Sequence, residues 1–158
     1  MGVGRECHVG HRQRSGLCSR EELGYPLSMG CPFCEIPESE RVIETNDVIG
    51  FFDHYPASPG HLLLVPRRHV ATWFDADERE KAALLRAIDD ALDVIESTVG
   101  RRPDGYNVGF NAGEAAGQTV MHLHIHVIPR YRGDVDDPRG GIRGAIPICR
   151  IYHPKDGS

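Results

Sequence analysis

The run Gln118-Thr119-Val120-Met121-His122-Leu123-His124-Ile125-His126-Val127-Ile128 carries a histidine at every second position of its centre. On an extended chain successive side chains point to opposite faces. His122, His124 and His126 therefore share one face, and Leu123, Ile125 and Val127 the other. With the apolar row turned to a core, three imidazoles at intervals of ~6–7 Å line one surface. Imidazole titrates near neutrality, so such a row can attack an electrophile, pass protons and hold anions. Histidine is not a favoured strand former, which makes three incidental surface histidines a poor account of the pattern. A second group is Cys31-Pro32-Phe33-Cys34, a C-x-x-C without a matching second pair among five cysteines. It suits a metal, or free thiols in a reducing compartment, better than a disulfide framework, and no βαβ pattern around it suggests a thioredoxin-type site. Cys7 and Cys18 with His8 and His11 lie in an irregular stretch that makes a further metal cluster a weak idea. Cys149 and His153 receive no role.

The flanking sequence supplies the elements that must position these groups. Arg41–Glu44 and Val48–Phe52 are of strand length, divided by the turn residues Asn46 and Asp47. Pro56 to Gly60 is a loop before His61–Val65, an apolar strand ended by Pro66. Asp75 with Glu78 three residues later reads as a capping box. Leu84, Leu85, Ile88, Leu92, Ile95 and Val99 then recur at spacings of three and four. They predict an amphipathic helix of about six turns stopped by Gly100. Tyr106–Phe110 alternates as a strand, Asn111–Gly117 is a loop, and Val120–Ile128 is the strongest strand signal. Pro, Gly and Asp dominate beyond Arg130. This order is not βαβ alternation; it predicts an α+β fold, an antiparallel sheet of about five strands with one long helix packed on it.

The chain has 158 residues, 40% hydrophobic and 26% charged, which suits one soluble domain with its own core. Residues 1–27 lack periodicity and read as a flexible extension, 28–148 as the folded domain, and 149–158 as a tail. A net charge of −5 argues against nucleic acid as a natural partner, though not against a small anion held by local dipoles. No stretch approaches a membrane span and the first residues lack a secretory apolar core, so the expected address is the cytoplasm.

Residues 122–128, HLHIHVI, fit His-φ-His-φ-His-φ-φ with φ apolar, and the chain resembles the histidine-triad (HIT) family. The resemblance runs from Cys31 to about Arg132. Gly60-His61-Leu-Leu-Leu-Val-Pro-Arg-Arg-His69 is similar to the family's G-H-x-L-v-x-P-k-x-H segment, and Phe51-Phe52-Asp53 to its ribose strand. Asn111 and Gly117-Gln118-Thr119 stand where its phosphate loop stands. The resemblance implies nucleotidyl transfer or hydrolysis at an α-phosphate. His124 would be the nucleophile, forming a covalent nucleotidyl-histidine. His126 would bind phosphoryl oxygens and assist the leaving group, with His122 completing the triad. Gln118, Thr119 and loop N–H groups would add donors, and Asn111 would help hold the phosphate; Thr119 is equally an ordinary strand-start residue. Asp53 would accept from the ribose hydroxyls, or simply cap the turn before Tyr55-Pro56. Pro32, Phe33, Ile36, Phe51 and Phe52 would form the slot for a purine base, although adjacent Phe51 and Phe52 must face opposite ways. His54 stands where the family more often has an apolar residue.

Some branches of the family place zinc on positions matching Cys31, Cys34, His69 and His122, which implies a structural zinc ion here; a pair of inert buried thiols is the alternative. Pro129-Arg130-x-x-Gly133-Asp134 and the Gly-Gln-Thr-Val run resemble diadenosine-polyphosphate hydrolases, whereas Asn111 resembles nucleoside phosphoramidases. The expected activity is dinucleoside-polyphosphate hydrolysis, with adenosine 5′-phosphoramidate hydrolysis as the alternative. A nucleotide-binding or partner-binding module with incidental turnover is the alternative of another class. His126 disfavours the uridylyltransferase branch, which carries Gln there. The family also implies a homodimer built through the long helix and a sheet edge.

Overall fold

Apolar runs and the turn residues between them resolve into five strands and one helix: β1 (Arg41–Glu44), β2 (Val48–Phe52), β3 (Leu62–Pro66), α1 (Glu78–Val99), β4 (Gly105–Gly109) and β5 (Ile125–Arg130). The computed structural model describes residues 30–147. Gly30–Pro138 form one unit. The described remainder, 139–147, carries one 3-10 turn at Gly141–Ala145. The expected extension over 1–27, the cluster around Cys7 and Cys18, and the tail over 149–158 lie outside the described residues.

The five strands form a single sheet in the order β1-β2-β3-β5-β4, every pairing antiparallel. The β1–β2 turn closes through Thr45, whose hydroxyl accepts from the Val48 N–H at 2.9 Å. β5 inserts between β3 and β4, with Leu63 registered on His126 from one side and Gly109 from the other. This α+β arrangement matches the expected class.

The helix covers one face of the sheet. Leu84, Ala87, Ala91 and Ile95 pack on Val48, Leu62, Leu64, Leu123, Ile125 and Val127, nearly all without solvent contact. The helix begins two residues later than the sequence suggests. Asp75-x-x-Glu78 and Asp77-x-x-Glu80 share one spacing, and it is Asp77 and Glu80 that make the reciprocal capping box. Asp75 is diverted because its carboxylate accepts from the Thr72 hydroxyl at 2.6 Å and the Thr72 N–H at 3.0 Å. Arg68 adds a two-pronged bond to Glu80, at 2.9 and 2.7 Å, which ties the helix start to the end of β3. The helix ends at Gly100 as expected. Gly60, at φ +85°, lies where any Cβ would meet Val99 Cγ2 at 2.8 Å, so it lets the strand approach the helix end closely.

The strand expected over Val120–Ile128 is corrected as well. Laddering starts only at Ile125, and the preceding residues form an arm that bends over Val120, Met121 and His122. Neither neighbour continues alongside the arm. β4 has turned away after Gly109, and the carbonyl at the end of β3, on Pro66, accepts from the His122 ring Nε2–H at 2.9 Å. One backbone bond holds the arm, Leu123 N–H to Val70 O at 2.6 Å. Leu123 still enters the helix-side core, so side-chain alternation outlasts the ladder. Among the described residues no helix is long and apolar enough to cross a membrane.

Candidate active site

The face of the sheet opposite the helix carries Ile36, Ile49, Phe51, Leu63 and Val65, with Phe33 packed against them. Phe33 spans from this apolar floor to the histidines: its ring centroid lies 5.5 Å from Phe51 and 5.0 Å, edge-on, from His124. Phe33, Ile36 and Phe51 thus form a continuous apolar surface beside the central histidine. Phe52 does not join it. As the neighbour of Phe51 on a strand it faces the other way and packs against the helix-side core, which corrects its expected place in the base slot.

Each triad imidazole has one nitrogen committed to a different partner. His122 donates from Nε2 to Pro66 O, which turns the Nδ1 lone pair toward Cys31 and Cys34. His124 donates from Nδ1 to the His122 carbonyl at 2.7 Å, leaving Nε2 as the free lone pair. A carbonyl in this position fixes the tautomer and favours positive charge when Nε2 forms a bond. His126 places Nδ1 3.0 Å from Nε2 of His61, and its ring stands 5.0 Å from that of His124.

All three are held below the ordinary histidine range, chiefly by burial. For His126, burial and the neighbouring His124 and His61 push the value down to about 4, with Asp53 acting weakly the other way. Burial likewise lowers His61. The row is therefore neutral at pH 7, which suits nucleophilic attack and neutral N–H donation.

Asp53 accepts the Tyr55 N–H at 2.9 Å, so it does close the turn before Pro56. Its other oxygen lies 3.4 Å from His61 Nδ1. His54 meets Glu40 at 2.8 Å. The loop before the arm is built by Gln118. Its Oε1 accepts from Gly113 N–H at 2.8 Å, and its Nε2 donates to Ala71 O at 2.6 Å and Val120 O at 3.1 Å. Both amide hydrogens are thereby taken, so Gln118 shapes the loop rather than offering its side chain to a developing charge. Gly117 has φ +85° and open space around its Cα, so backbone conformation rather than crowding calls for glycine there. Thr119 is exposed on the same loop, and Asn111 lies two residues beyond Gly109, the register partner of His126.

A metal corner adjoins this row. The ligand atoms of Cys31, Cys34, His69 and His122 all lie within 4.8 Å of one another. Sγ of Cys31 and Cys34 are 3.4 and 3.5 Å from His122 Nδ1, and Cys34 Sγ is 3.3 Å from His69 Nδ1. Tetrahedral zinc with ordinary Zn–S and Zn–N lengths requires sulfur–nitrogen edges of about 3.5 Å, so the donor set fits the ion in number, type and spacing. Four protein ligands leave no open position, and a zinc ion held here would supply a cross-link rather than reaction chemistry. His122 Nε2–H on Pro66 O is the outer hydrogen bond that orients such a ligand.

His61 carries no assignment from the sequence, although the structure sets it against His126. The available signal was alternation within His61-Leu-Leu-Leu-Val65: Leu63 and Val65 lie on the site face, and His61 has the same parity. Arg130 and Asp134, also of the resemblance, pair bidentately at 2.7 and 2.9 Å, and Arg130 reaches Asn107 at 2.6 Å.

The chain is 40% identical over 111 residues to the AP-4-A phosphorylase of Mycobacterium tuberculosis H37Rv, covering 66% of this chain and 56% of that protein. It thus spans just over half the length of that relative. Among solved structures, the histidine triad nucleotide-binding protein ST2152 of Sulfolobus tokodaii superposes with a TM-score of 0.59 at 34% identity, over 68% of this chain and 73% of that one. A Zn-bound histidine triad family protein from Mycobacterium smegmatis gives a TM-score of 0.58 at 31% identity, over 66% and 77%. Residues 35–133 match the HIT domain, from the apolar floor through the triad to the turn after β5, and the chain belongs to the HIT domain family.

Proposed function

We propose that the chain is a nucleotidyl hydrolase or transferase that works on dinucleoside polyphosphates through a covalent nucleotidyl-histidine at His124. The observation that carries the reading is the His124 Nδ1–H bond to the His122 carbonyl, which leaves Nε2 unprotonated in a neutral, buried ring. In the first step the Nε2 lone pair forms a nitrogen–phosphorus bond as the bond from that phosphorus to the bridging oxygen breaks. The second nucleotide departs as a phosphate anion. An acceptor oxygen then displaces the imidazole, and its proton passes to solvent. Phe33, Ile36 and Phe51 suit a purine face, and Asp53 the ribose. Asn111 and the backbone N–H groups of Gly117–Thr119 would help hold the phosphates.

Water as acceptor yields a mononucleotide; inorganic phosphate yields a nucleoside diphosphate. The relative named AP-4-A phosphorylase supports the dinucleotide class and makes phosphate an acceptor to include. Chromatography of diadenosine tetraphosphate reactions run with and without phosphate, beside adenosine 5′-phosphoramidate, tests this. Expected products are ATP with AMP, or ATP with ADP when phosphate is the acceptor. Consumption of the phosphoramidate alone would reassign the enzyme as a phosphoramidase, and turnover of neither would leave a binding module. We further assign zinc a structural role at Cys31, Cys34, His69 and His122, and a reducing, cytoplasmic setting fits those thiols. A homodimer is supported by the edge position of β4 and by exposed Phe74 and Leu85, and light scattering checks it.

A further inference from the structure

The Pro129-Arg130-x-x-Gly133-Asp134 run has no part in the chemistry above, and a cavity of about 460 Å³ lies beside it. Its floor continues the histidine row. His126, Ile128 and Arg130 alternate with buried residues along β5, so they share one face. Steps of two residues set Ile128 about 6–7 Å and Arg130 about 13 Å beyond His126. Asn107 of β4 registers on Ile128 and faces the same side. The 57–59 loop and Val135 supply the walls. That loop is tied down: Ser58 Oγ donates to Pro129 O at 2.6 Å, and the Tyr131 hydroxyl to Pro59 O at 3.0 Å.

One turn sorts the polar groups. Gly133, at φ +84°, brings the chain back so that Asp134 takes Arg130 Nε and Nη2 at 2.7 and 2.9 Å. Arg130 Nη1 is left for Asn107 Oδ1, at 2.6 Å. A guanidinium only donates, so Asn107 must turn its oxygen to Arg130, and its amide is held in one orientation. Asn107 Nδ2 then keeps its N–H donors without a partner among the described residues.

We propose that this cavity receives the distal nucleoside of a dinucleoside polyphosphate, with the Asn107 amide as its directed donor and Ile128 and Val135 as its apolar wall. That role rests on the nucleotide reading of the triad. Phe33, Ile36 and Phe51 accommodate one base, so a substrate with two nucleosides needs a second place within reach of its phosphate chain. The cavity starts one step past His126 on the same face, and its volume and its mixture of apolar wall and few placed polar groups are those of ligand sites. Asn107 thereby separates substrates with two nucleosides from substrates with one. Arg130 and Asp134 are positioning residues that set its direction.

Calorimetry on the full chain carrying His124→Ala, which binds without turnover, compares diadenosine tetraphosphate with AMP. Diadenosine tetraphosphate should bind more tightly than AMP. Adding Asn107→Ala should weaken it roughly 3- to 10-fold and leave AMP affinity unchanged. Val135→Glu, at a side chain 45% exposed, should do the same should Asn107→Ala fail to fold. In 15N spectra the Asn107 side-chain amide should shift with diadenosine tetraphosphate and stay in place with AMP. Arg130→Lys, which cannot hold Asp134 with two prongs and Asn107 together, should shrink that shift while AMP affinity holds; an undiminished shift would overturn the positioning role. Equal affinity for the two ligands, an equal loss of both in either variant, or an amide that AMP moves as far would overturn the proposal. Selective binding through Asn107 by a native chain that turns over no nucleotide would uphold the cavity and sink the assigned reaction. Turnover of diadenosine tetraphosphate with KM indifferent to Asn107→Ala would do the reverse.

Discussion

The corner of Cys31, Cys34, His69 and His122 and the pair His124–His126 occupy adjoining stretches of one chain, yet their histidines are prepared for opposite tasks. His122 has its ring proton spent on a carbonyl so that Nδ1 points into a closed set of four ligands. His124, two residues on, spends the other proton on another carbonyl and keeps Nε2 open. The residue type and the burial are alike; the partner of the second nitrogen differs. Two backbone carbonyls, of Pro66 and of His122, therefore decide which ring nitrogen each imidazole keeps open.

The largest effect should come from removing the reactive side alone. His124→Ala is expected to lower turnover about a thousandfold or more while nucleotide affinity, read by calorimetry, and zinc content stay near native. Loss of zinc in that variant would join the two regions into one. The converse change, Cys31→Ser with Cys34→Ser, should remove zinc by metal analysis and lower the melting temperature by roughly 4–8 °C, equivalent to about 2 kcal/mol in a domain of this size. Turnover should fall less than in His124→Ala, because Pro66 O still orients His122. A control that spares both regions is Glu80→Ala, which deletes half of the capping box and the Arg68 bond. A loss of about 1–2 kcal/mol in thermal or urea unfolding is expected, with zinc and kcat unchanged.

The smallest and most diagnostic effect is on acid stability. His126 has a folded pKa of about 4, below the ordinary histidine value, so the unfolded chain takes up the proton first as pH falls. Its contribution is complete above about pH 6.5 and is lost progressively toward pH 4. In melts followed from pH 7 to 5, His126→Gln should show a shallower decline than the native protein. An equal slope would mean that His126 is not the half-buried neutral ring described.

The helix-side core was readable because burial and period coincide there: Leu123, Ile125 and Val127 all enter it. The strand expected over 120–128 exceeds the ladder for the same reason, since Leu123 still enters the helix-side core although the ladder begins only at Ile125. Asp75 and Asp77 offer the same capping spacing, and the Thr72 hydroxyl and N–H on Asp75, with Arg68 on Glu80, separate them. The metal set was legible in residue types. Gln118 was not, because an amide that shapes a loop and one that faces a ligand look identical in sequence. His61 escaped assignment because its meaning lies in a contact with His126 across 65 positions.

The five residues after Val65 each answer to a different part of the molecule. Pro66 receives the His122 ring, Arg67 reaches the β1–β2 turn at Thr45, Arg68 holds the helix start, His69 faces Cys34, and Val70 binds Leu123. Such a stretch behaves as a ruler with five fixed marks. Adding or removing one residue would shift every later mark onto the wrong neighbour, so length there is as constrained as identity.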